Sequence, residues 1–579
     1  MQKYNNLAEM IISIQNNFAN KKFLNYKINN QWQNFSSQEF VQKVQALAIA
    51  LNKIGFKKGD LLANYSYQNP IWLMVDFSAI LAGGITVPIF SNLSQENLFY
   101  QLHDSKVSFF FTDSPEICHK IFLNFPHLTI ITNGFKVDYA TSIDDLIASE
   151  INKISSEIID NFVKNIDPND LVSIVYTSGS TDKPKGVEIS HQALISQIHD
   201  SDEFFNLPND SIVISYLPLA HIFERMVMCY YLSKGLTIYF VDDIKLLGNY
   251  LKEVSPTLMT SVPRALEKVF AKINQGIETA SFVKKIIGKL AIKRAINKDP
   301  RSPKNIFDKI FDKLIYHKFR LALGGKIEMI ICGGSPLSPD LETFYWNIGV
   351  KIYCGYGLTE CSPVLATNSP NNFRLKTVGK PFPSVELKLA EDKELLAKGI
   401  NVMKKYHNSP EKTAEVFADG WFKTGDLAEI DQDGFVKIIG RKKEVFKNSN
   451  GKFIHPVAIE QKLIQNLGYI LGALIIAESR SFVVVLLFVD FDLIDNLKLK
   501  LGYQQETNKF LESEVLNNYT ADKINKINNN LDKWEQIKKF KIITDKISVE
   551  TNEITPSMKL KRSVIQEKYK ILIENIYQN

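Results

Sequence analysis

Residues 175–191 read VYTSGSTDKPKGVEISH. Thr177, Ser178, Gly179, Ser180 and Thr181 come first, followed by Lys185 and Gly186. Small residues let a backbone come close to a ligand, hydroxyls add donors, and a lysine adds positive charge. That combination suits a polyphosphate. It is not a Walker A loop, because no GK[ST] follows the glycine at the required spacing. A Ser/Thr/Gly turn followed by lysine can also be an ordinary surface loop. The length of this run, and the apolar strand-like stretch 171–175 before it, favour the phosphate reading.

A loop of this kind needs strand ends to hold it. Between 60 and 90, GDLLANYS is strand-like, NPIWLMVDFSAILAGG has helical spacing and a double-glycine stop, and ITVPIF reads as a second strand. Strand, helix, strand predicts a parallel α/β sheet. The same rhythm recurs at 211–216, 237–241, 326–332 and 350–354. The most apolar run, 482–489, is eight residues long. A bilayer span needs about 20, so this run reads as a buried strand.

With 579 residues the chain exceeds one core, and roughly 150 residues per domain suggests two to four. A composition of 45% hydrophobic and 23% charged residues excludes collagen-like, mucin-like and fully disordered chains. A net charge of +6 is too mild to mark a nucleic-acid binder. Five cysteines, an odd number without CxxC spacing, argue against a disulfide framework or a zinc site and point to a reducing cytoplasm. The start, MQKYNNLAEMIISIQNN, has no apolar core after a basic head, so no signal peptide is expected.

The basicity is local. Residues 281–320 hold twelve lysines and arginines against Asp299, Asp308 and Asp312. Within them Phe307, Ile310, Phe311, Leu314, Ile315 and Phe319 fall at helical spacing. One reading is a surface helix docked on the core with a solvated basic face. The other is a patch for anionic lipid headgroups, at roughly 1 kcal/mol per basic residue near such a surface. No nucleic-acid reader motif accompanies it.

YTSGSTDKPKG resembles the phosphate loop of the adenylate-forming superfamily, which holds acyl-CoA synthetases, luciferases and peptide-synthetase adenylation domains. Five further motifs resemble that family's in order: CGGSPLSPDL from Cys332, GYGLTECSP from Gly355, GWFKTGDLAEI from Gly420, GRKKEVFKNSNGKFIHPVAIE from Gly440 and TPSMKLKR from Thr555. PLAHIFER from Pro218 and the basic segment are most similar to the long-chain fatty acid–CoA ligase branch. The resemblance covers about 35–570. It implies a large N-terminal domain of stacked α/β sheets, 1–441, and a small mobile α+β C-terminal domain, 442–579.

The activity implied is ATP-dependent ligation of a fatty acid to CoA through an acyl-adenylate, with Mg2+. An acyl carrier protein in place of CoA, and a membrane-surface scaffold without catalysis, are the alternatives. By resemblance, Thr177, Ser178, Gly179, Ser180, Thr181 and Lys185 hold the β- and γ-phosphates. Glu360 holds magnesium, Thr359 meets the α-phosphate, and Gly333, Gly334, Ser335, Tyr356 and Gly357 line the adenine pocket. Asp426 takes both ribose hydroxyls, and Arg441 also contacts the nucleotide. Lys559 stabilises the adenylation transition state, Lys443 is the hinge, and His221 lies in the acyl pocket. His191 reads as structural. The sequence departs from the family pattern at Asp182, where glycine is usual, at Cys361 beside the magnesium glutamate, and at 393–399, KELLAKG.

Overall fold

The computed structural model describes residues 3–177, 183–442, 444–449, 452–555 and 559–578. The helix over 70–81 shows how local chemistry sets the elements. Asn69 caps it by accepting from the N–H groups of Ile71 and Trp72, Pro70 opens it, and Gly83, at φ +81°, ends it. Its flanking strands, Leu61–Tyr65 and Ile85–Pro88, pair in parallel as the sequence rhythm predicts.

Those strands belong to a seven-stranded sheet running Thr141–Ser142, Thr129–Thr132, Phe109–Thr112, Leu61–Tyr65, Ile85–Pro88, Leu171–Thr177, Lys185–Ser190. All pairs are parallel except the last, an antiparallel hairpin. A nine-stranded sheet carries Ile212–Ser215, Leu258–Ser261, Met329–Cys332 and Lys351–Gly357 as its parallel centre. Alternate residues of a strand face opposite layers. Phe109 and Phe111 enter one apolar core and Phe110 another.

The two large sheets are joined through a buried ion pair. Arg225 donates to both oxygens of Asp76, at 2.9 and 3.0 Å, and to the Thr86 hydroxyl at 2.7 Å. Desolvation raises the Asp76 carboxyl, opposed by the guanidinium beside it. This pair anchors the helix Ile222–Ser233.

A smaller antiparallel sheet, built on Trp421–Ile430, follows. Beyond it the cores separate. One set of clusters ends at Ile438, and two others use only side chains from Phe446 onward. The stretch Val483–Val489 is a central strand with all seven residues buried. Val483, Val485, Leu487 and Val489 face one of these clusters, and Leu486 and Phe488 the other.

The basic segment differs from its sequence expectation. It forms a helix Phe282–Asn297, then Ile306–Phe311, a π-turn Asp312–Tyr316 and His317–Ala322. Phe319 is buried, but Phe307, Ile310 and Leu314 point to solvent. Phe307, Ile310 and Leu314 form one flank of the helical stripe and Phe311, Ile315 and Phe319 the other, and only the second flank meets the core.

Candidate active site

The residues named from the sequence converge on one cavity of about 4100 Å³ between the large N-terminal unit and the C-terminal unit. Thr177 and Lys185 stand opposite each other in the hairpin register, flanking the phosphate turn. Ser178, Gly179, Ser180, Thr181 and Asp182 lie outside the described residues, as do Lys443 and the three residues before Lys559.

Gly333, Gly334 and Ser335 follow the strand Met329–Cys332, and Tyr356 and Gly357 end the neighbouring strand Lys351–Gly357. Both strands run in parallel, so their C-terminal ends share one edge. That edge is where open α/β sheets hold ligands. A Cβ at Gly357 would lie 1.9 Å from the Pro363 carbonyl oxygen, so only glycine lets the turn carrying Thr359 and Glu360 fold back this closely.

Glu360 is half-buried, and the Tyr406 hydroxyl donates to its Oε1 at 2.8 Å. The Lys185 ammonium sits 5.0 Å from the centre of the Tyr406 ring. Tyr406 therefore links Lys185 to Glu360. Burial, then the neighbouring Glu360 charge, raises its hydroxyl far above the ordinary range, so it stays a donor. Tyr406 lies outside every quoted motif, and no local pattern marks it; its partner is 46 positions away.

No cluster of three or more ligating side chains occurs among the described residues. A magnesium ion carried by nucleotide phosphates needs only one or two protein carboxylates. Glu360, with no partner on its second oxygen among the described residues, fits that need. Cys361 is fully buried, and burial, then Glu360 and Asp426, pushes its thiol well above the ordinary range. It is a neutral packing group.

Asp426 is buried at the start of a pairing with Arg441. The Tyr356 hydroxyl donates to its Oδ2 at 2.5 Å, and Arg441 Nε to its Oδ1 at 3.0 Å. Burial works against the Arg441 charge, yet Asp426 and Glu444 raise its pKa overall. The departure at 393–399 becomes a strand, Glu394–Gly399. Glu394 accepts from the Gly425 N–H at 3.0 Å and pairs with Lys442 at 2.7 Å. This carboxylate braces the turn that presents Asp426, a second contribution that sequence reading missed.

Lys559 reaches this cavity from the C-terminal unit. Thr555 and Lys559 exchange two bonds, at 2.8 and 3.0 Å, and Lys561 N–H donates to the Glu553 carbonyl at 2.7 Å. Leu560 packs so tightly on Gly472 that a Cβ there would lie 2.8 Å away. The clasp holds the main chain while the Lys559 side chain stays exposed within the cavity. The desolvating cavity walls, then the Arg441 charge, lower its pKa, with Asp426 and Glu444 opposing.

His221 caps the helix Ile222–Ser233, accepting from the Phe223 N–H at 3.2 Å, and lines the same cavity. Burial, then the Lys559 charge, lowers its pKa to about 4, so it is neutral at physiological pH. His191, by contrast, accepts from the Leu7 N–H at 3.3 Å in the core, as its structural reading expects.

Comparison with known proteins settles the family. The AMP-binding enzyme family matches residues 14–407, and the AMP-binding enzyme C-terminal domain matches 444–579. The chain belongs to the adenylate-forming, AMP-binding enzymes. It is 31% identical to the long-chain-fatty-acid–CoA ligase FadD15 of Mycobacterium bovis, over 99% of this chain and 97% of that one. It is 28% identical to long-chain-fatty-acid–CoA ligase 5 of Rattus norvegicus, over 96% and 85%. These relatives set it on the fatty acid–CoA ligase branch of the family. The adenylation domain of a carboxylate reductase from Mycobacterium chelonae shares the fold, with TM-score 0.79, 19% identity, and coverage of 99% and 91%. ATP-bound MatB from Rhodopseudomonas palustris does so at TM-score 0.71 and 20% identity, over 97% and 99%. The enzyme is thus an acid–thiol ligase working through an acyl-adenylate.

Proposed function

We propose that this ligase joins a long-chain fatty acid to CoA, using ATP with Mg2+. The observation that carries the reading is the placement of Lys559 in the cavity that also holds Glu360, Asp426 and Arg441. The long-chain preference rests on the named relatives and on apolar side chains that line the cavity, among them Met226, Val227 and Leu251.

In the first step a carboxylate oxygen attacks the α-phosphorus, the bond to the β-phosphate oxygen breaks, and diphosphate leaves. Two anions must meet, so cations have to stand ready. Lys185 and Thr177 hold the terminal phosphates together with the turn between them, and Asp426 orients the ribose. Magnesium, when bound at Glu360, neutralises phosphate charge. Lys559 presents its ammonium to the oxygens that gain charge. One unit charge at about 4 Å is worth on the order of 4 kcal/mol at an effective dielectric near 20, or roughly a thousandfold in rate. In the second step the CoA sulfur attacks the acyl carbon and AMP leaves.

The second step needs a different arrangement of the C-terminal unit. We assign the boundary to 441/442 and the hinge to Lys443, supported by the gap between the cores there. Among the described residues, Arg264, Gln275 and Gln461 tie the units together, with Gln275 Nε2 donating to Asn496 Oδ1 at 2.8 Å. Arg264 reaches Asp490 at 2.7 Å and the Ile470 carbonyl at 3.2 Å, and Gln461 reaches the Pro336 carbonyl at 3.0 Å. Five free thiols support a cytoplasmic setting, and the basic segment supports peripheral association with the inner face of a membrane.

Acid-dependent exchange of labelled diphosphate into ATP, followed by thioester formation with CoA, tests the reading across a panel from acetate to oleate. Exchange with no acid tried would refute it, and thioester formed only on acyl carrier protein would refute the CoA assignment.

A further inference from the structure

From Lys559 the chain runs extended into the helix Arg562–Lys568, with Leu560 bridged to Ile554. Alternate residues of an extended segment face opposite sides. Leu560 and Arg562 land on one strand, Ile470–Ile476, while Lys559 projects into the cavity. Leu560 meets Gly472, and Arg562 meets Ile475 three positions further along.

That strand lies at the edge of its sheet. Both backbone groups of Ile475 are engaged from outside the sheet. Its N–H donates to Glu460 Oε1 at 2.8 Å, and its carbonyl accepts from Arg562 Nη1 at 2.8 Å. Arg562 Nη2 donates to the same Glu460 oxygen at 2.7 Å. A planar fork suits two acceptors placed side by side, and the point charge of a lysine does not reproduce it. Burial raises the Glu460 carboxyl, and the Arg562 charge opposes that. Loss of the guanidinium would leave a buried acid without its counter-charge.

Glu460 lies on the helix Pro456–Leu467, and the next residue, Gln461, donates to the Pro336 carbonyl of the large unit at 3.0 Å. Pro336 directly follows Gly333, Gly334 and Ser335. Lys559 is therefore registered to that loop through three links: Arg562, Glu460 and Gln461. The bonds between Thr555 and Lys559 span four positions and set the local shape of the clasp. The Arg562–Glu460 pair ties the clasp to the helix that meets the large unit.

We propose that Arg562 is a positioning residue for adenylation: its fork on Glu460 and the Ile475 carbonyl sets where the Lys559 ammonium stands in the cavity. This rests on the adenylation role given to Lys559, through which Arg562 acts.

The test compares full-chain Arg562→Met, Arg562→Lys and Glu460→Gln with Lys559→Ala, in diphosphate–ATP exchange and in thioester formation from supplied acyl-adenylate. Arg562→Met should lower kcat for adenylation on the order of ten- to a hundredfold, since a displacement of about 1 Å at a reacting centre can cost that much. KM for ATP and the rate of the thioester step should each stay within about twofold, because the lost interaction acts only in the first transition state. Arg562→Lys keeps a charge beside Glu460, and Glu460→Gln keeps an acceptor, so both should fall between Arg562→Met and the wild type. The alkaline limb of adenylation should move to higher pH in Arg562→Met. An ammonium displaced from the desolvating walls and from Arg441 holds its proton more as an ordinary lysine does. A pair that only held the fold together would move neither this limb nor the split between the half-reactions. Unchanged adenylation in Arg562→Met, equal loss in both half-reactions, or a limb that stays in place would overturn the proposal. Full adenylation by Lys559→Ala would instead strike the role of Lys559, whatever the Arg562 variants do.

Discussion

The wall that carries Asp426 and Glu360 and the Lys559 clasp are built on opposite plans. Asp426 is buried, held by Tyr356 and Arg441, and presented by a turn braced on Glu394. Glu360 is tied to Tyr406, and its turn is packed on Pro363. Tyr356, Glu394, Asp426 and Arg441 sit on strands of the large unit, and Glu360 and Tyr406 on its turns and loops. Lys559 instead belongs to a unit with its own cores, which among the described residues is tied to the large unit through Arg264, Gln275 and Gln461. Binding groups serve both half-reactions and gain from rigidity. A group needed in only one half-reaction gains from being removable.

The largest effect expected from breaking this contrast is at the clasp. Lys559→Ala should lower adenylate formation roughly a thousandfold, yet largely spare thioester formation from supplied acyl-adenylate. Separate assays of the two half-reactions decide it, and equal loss in both would place Lys559 with the binding wall. Asp426→Asn removes a charged acceptor of two hydroxyls. A loss of about 2–3 kcal/mol, or 30- to 150-fold in ATP affinity, is expected in equilibrium titration, with both half-reactions impaired.

Tyr406→Phe deletes one hydrogen bond to Glu360, worth about 1 kcal/mol. The KM for MgATP should rise around fivefold with kcat nearly kept. A larger fall in kcat would mean that Tyr406 acts on the reacting centre. Arg264→Ala unties Asp490 and should slow adenylation only two- to fivefold, because partly exposed pairs contribute about 0.5–1 kcal/mol. The thioester step should stay level or quicken, as stopped-flow kinetics can show.

The smallest effect is on pH. Lys559 must be protonated to stabilise anionic oxygens, and its pKa lies below that of an ordinary lysine. Adenylation should therefore fall as pH rises, on a limb below the usual lysine range. Arg441 contributes to that depression, so Arg441→Gln should move the limb to higher pH whatever it does to the rate. A limb that stays in place would separate the two residues.

The strand–helix–strand rhythm was legible because each element is coded locally: Asn69 and Pro70 open a helix, Gly83 closes it, and the apolar run 482–489 lands on Val483–Val489. Glycines at 333, 334 and 357 could be placed because a motif records what backbone closeness demands. Tyr406 and Glu394 were invisible. Each acts through a partner remote in sequence, and nothing in its neighbours distinguishes a tyrosine that braces a carboxylate from one that packs. The helical spacing across 307–319 marked an apolar stripe but not which flank of it meets the core.

The order of residue types along the chain thus determined the family and the parallel sheets, since these depend on short-range geometry and on motifs a few residues long. Folding in three dimensions decided which groups share the cavity, which carboxylates are braced, and which apolar side chains of 281–320 remain uncovered. Those outcomes depend on desolvation and on contacts between segments hundreds of positions apart, and no local stretch of sequence carries that information.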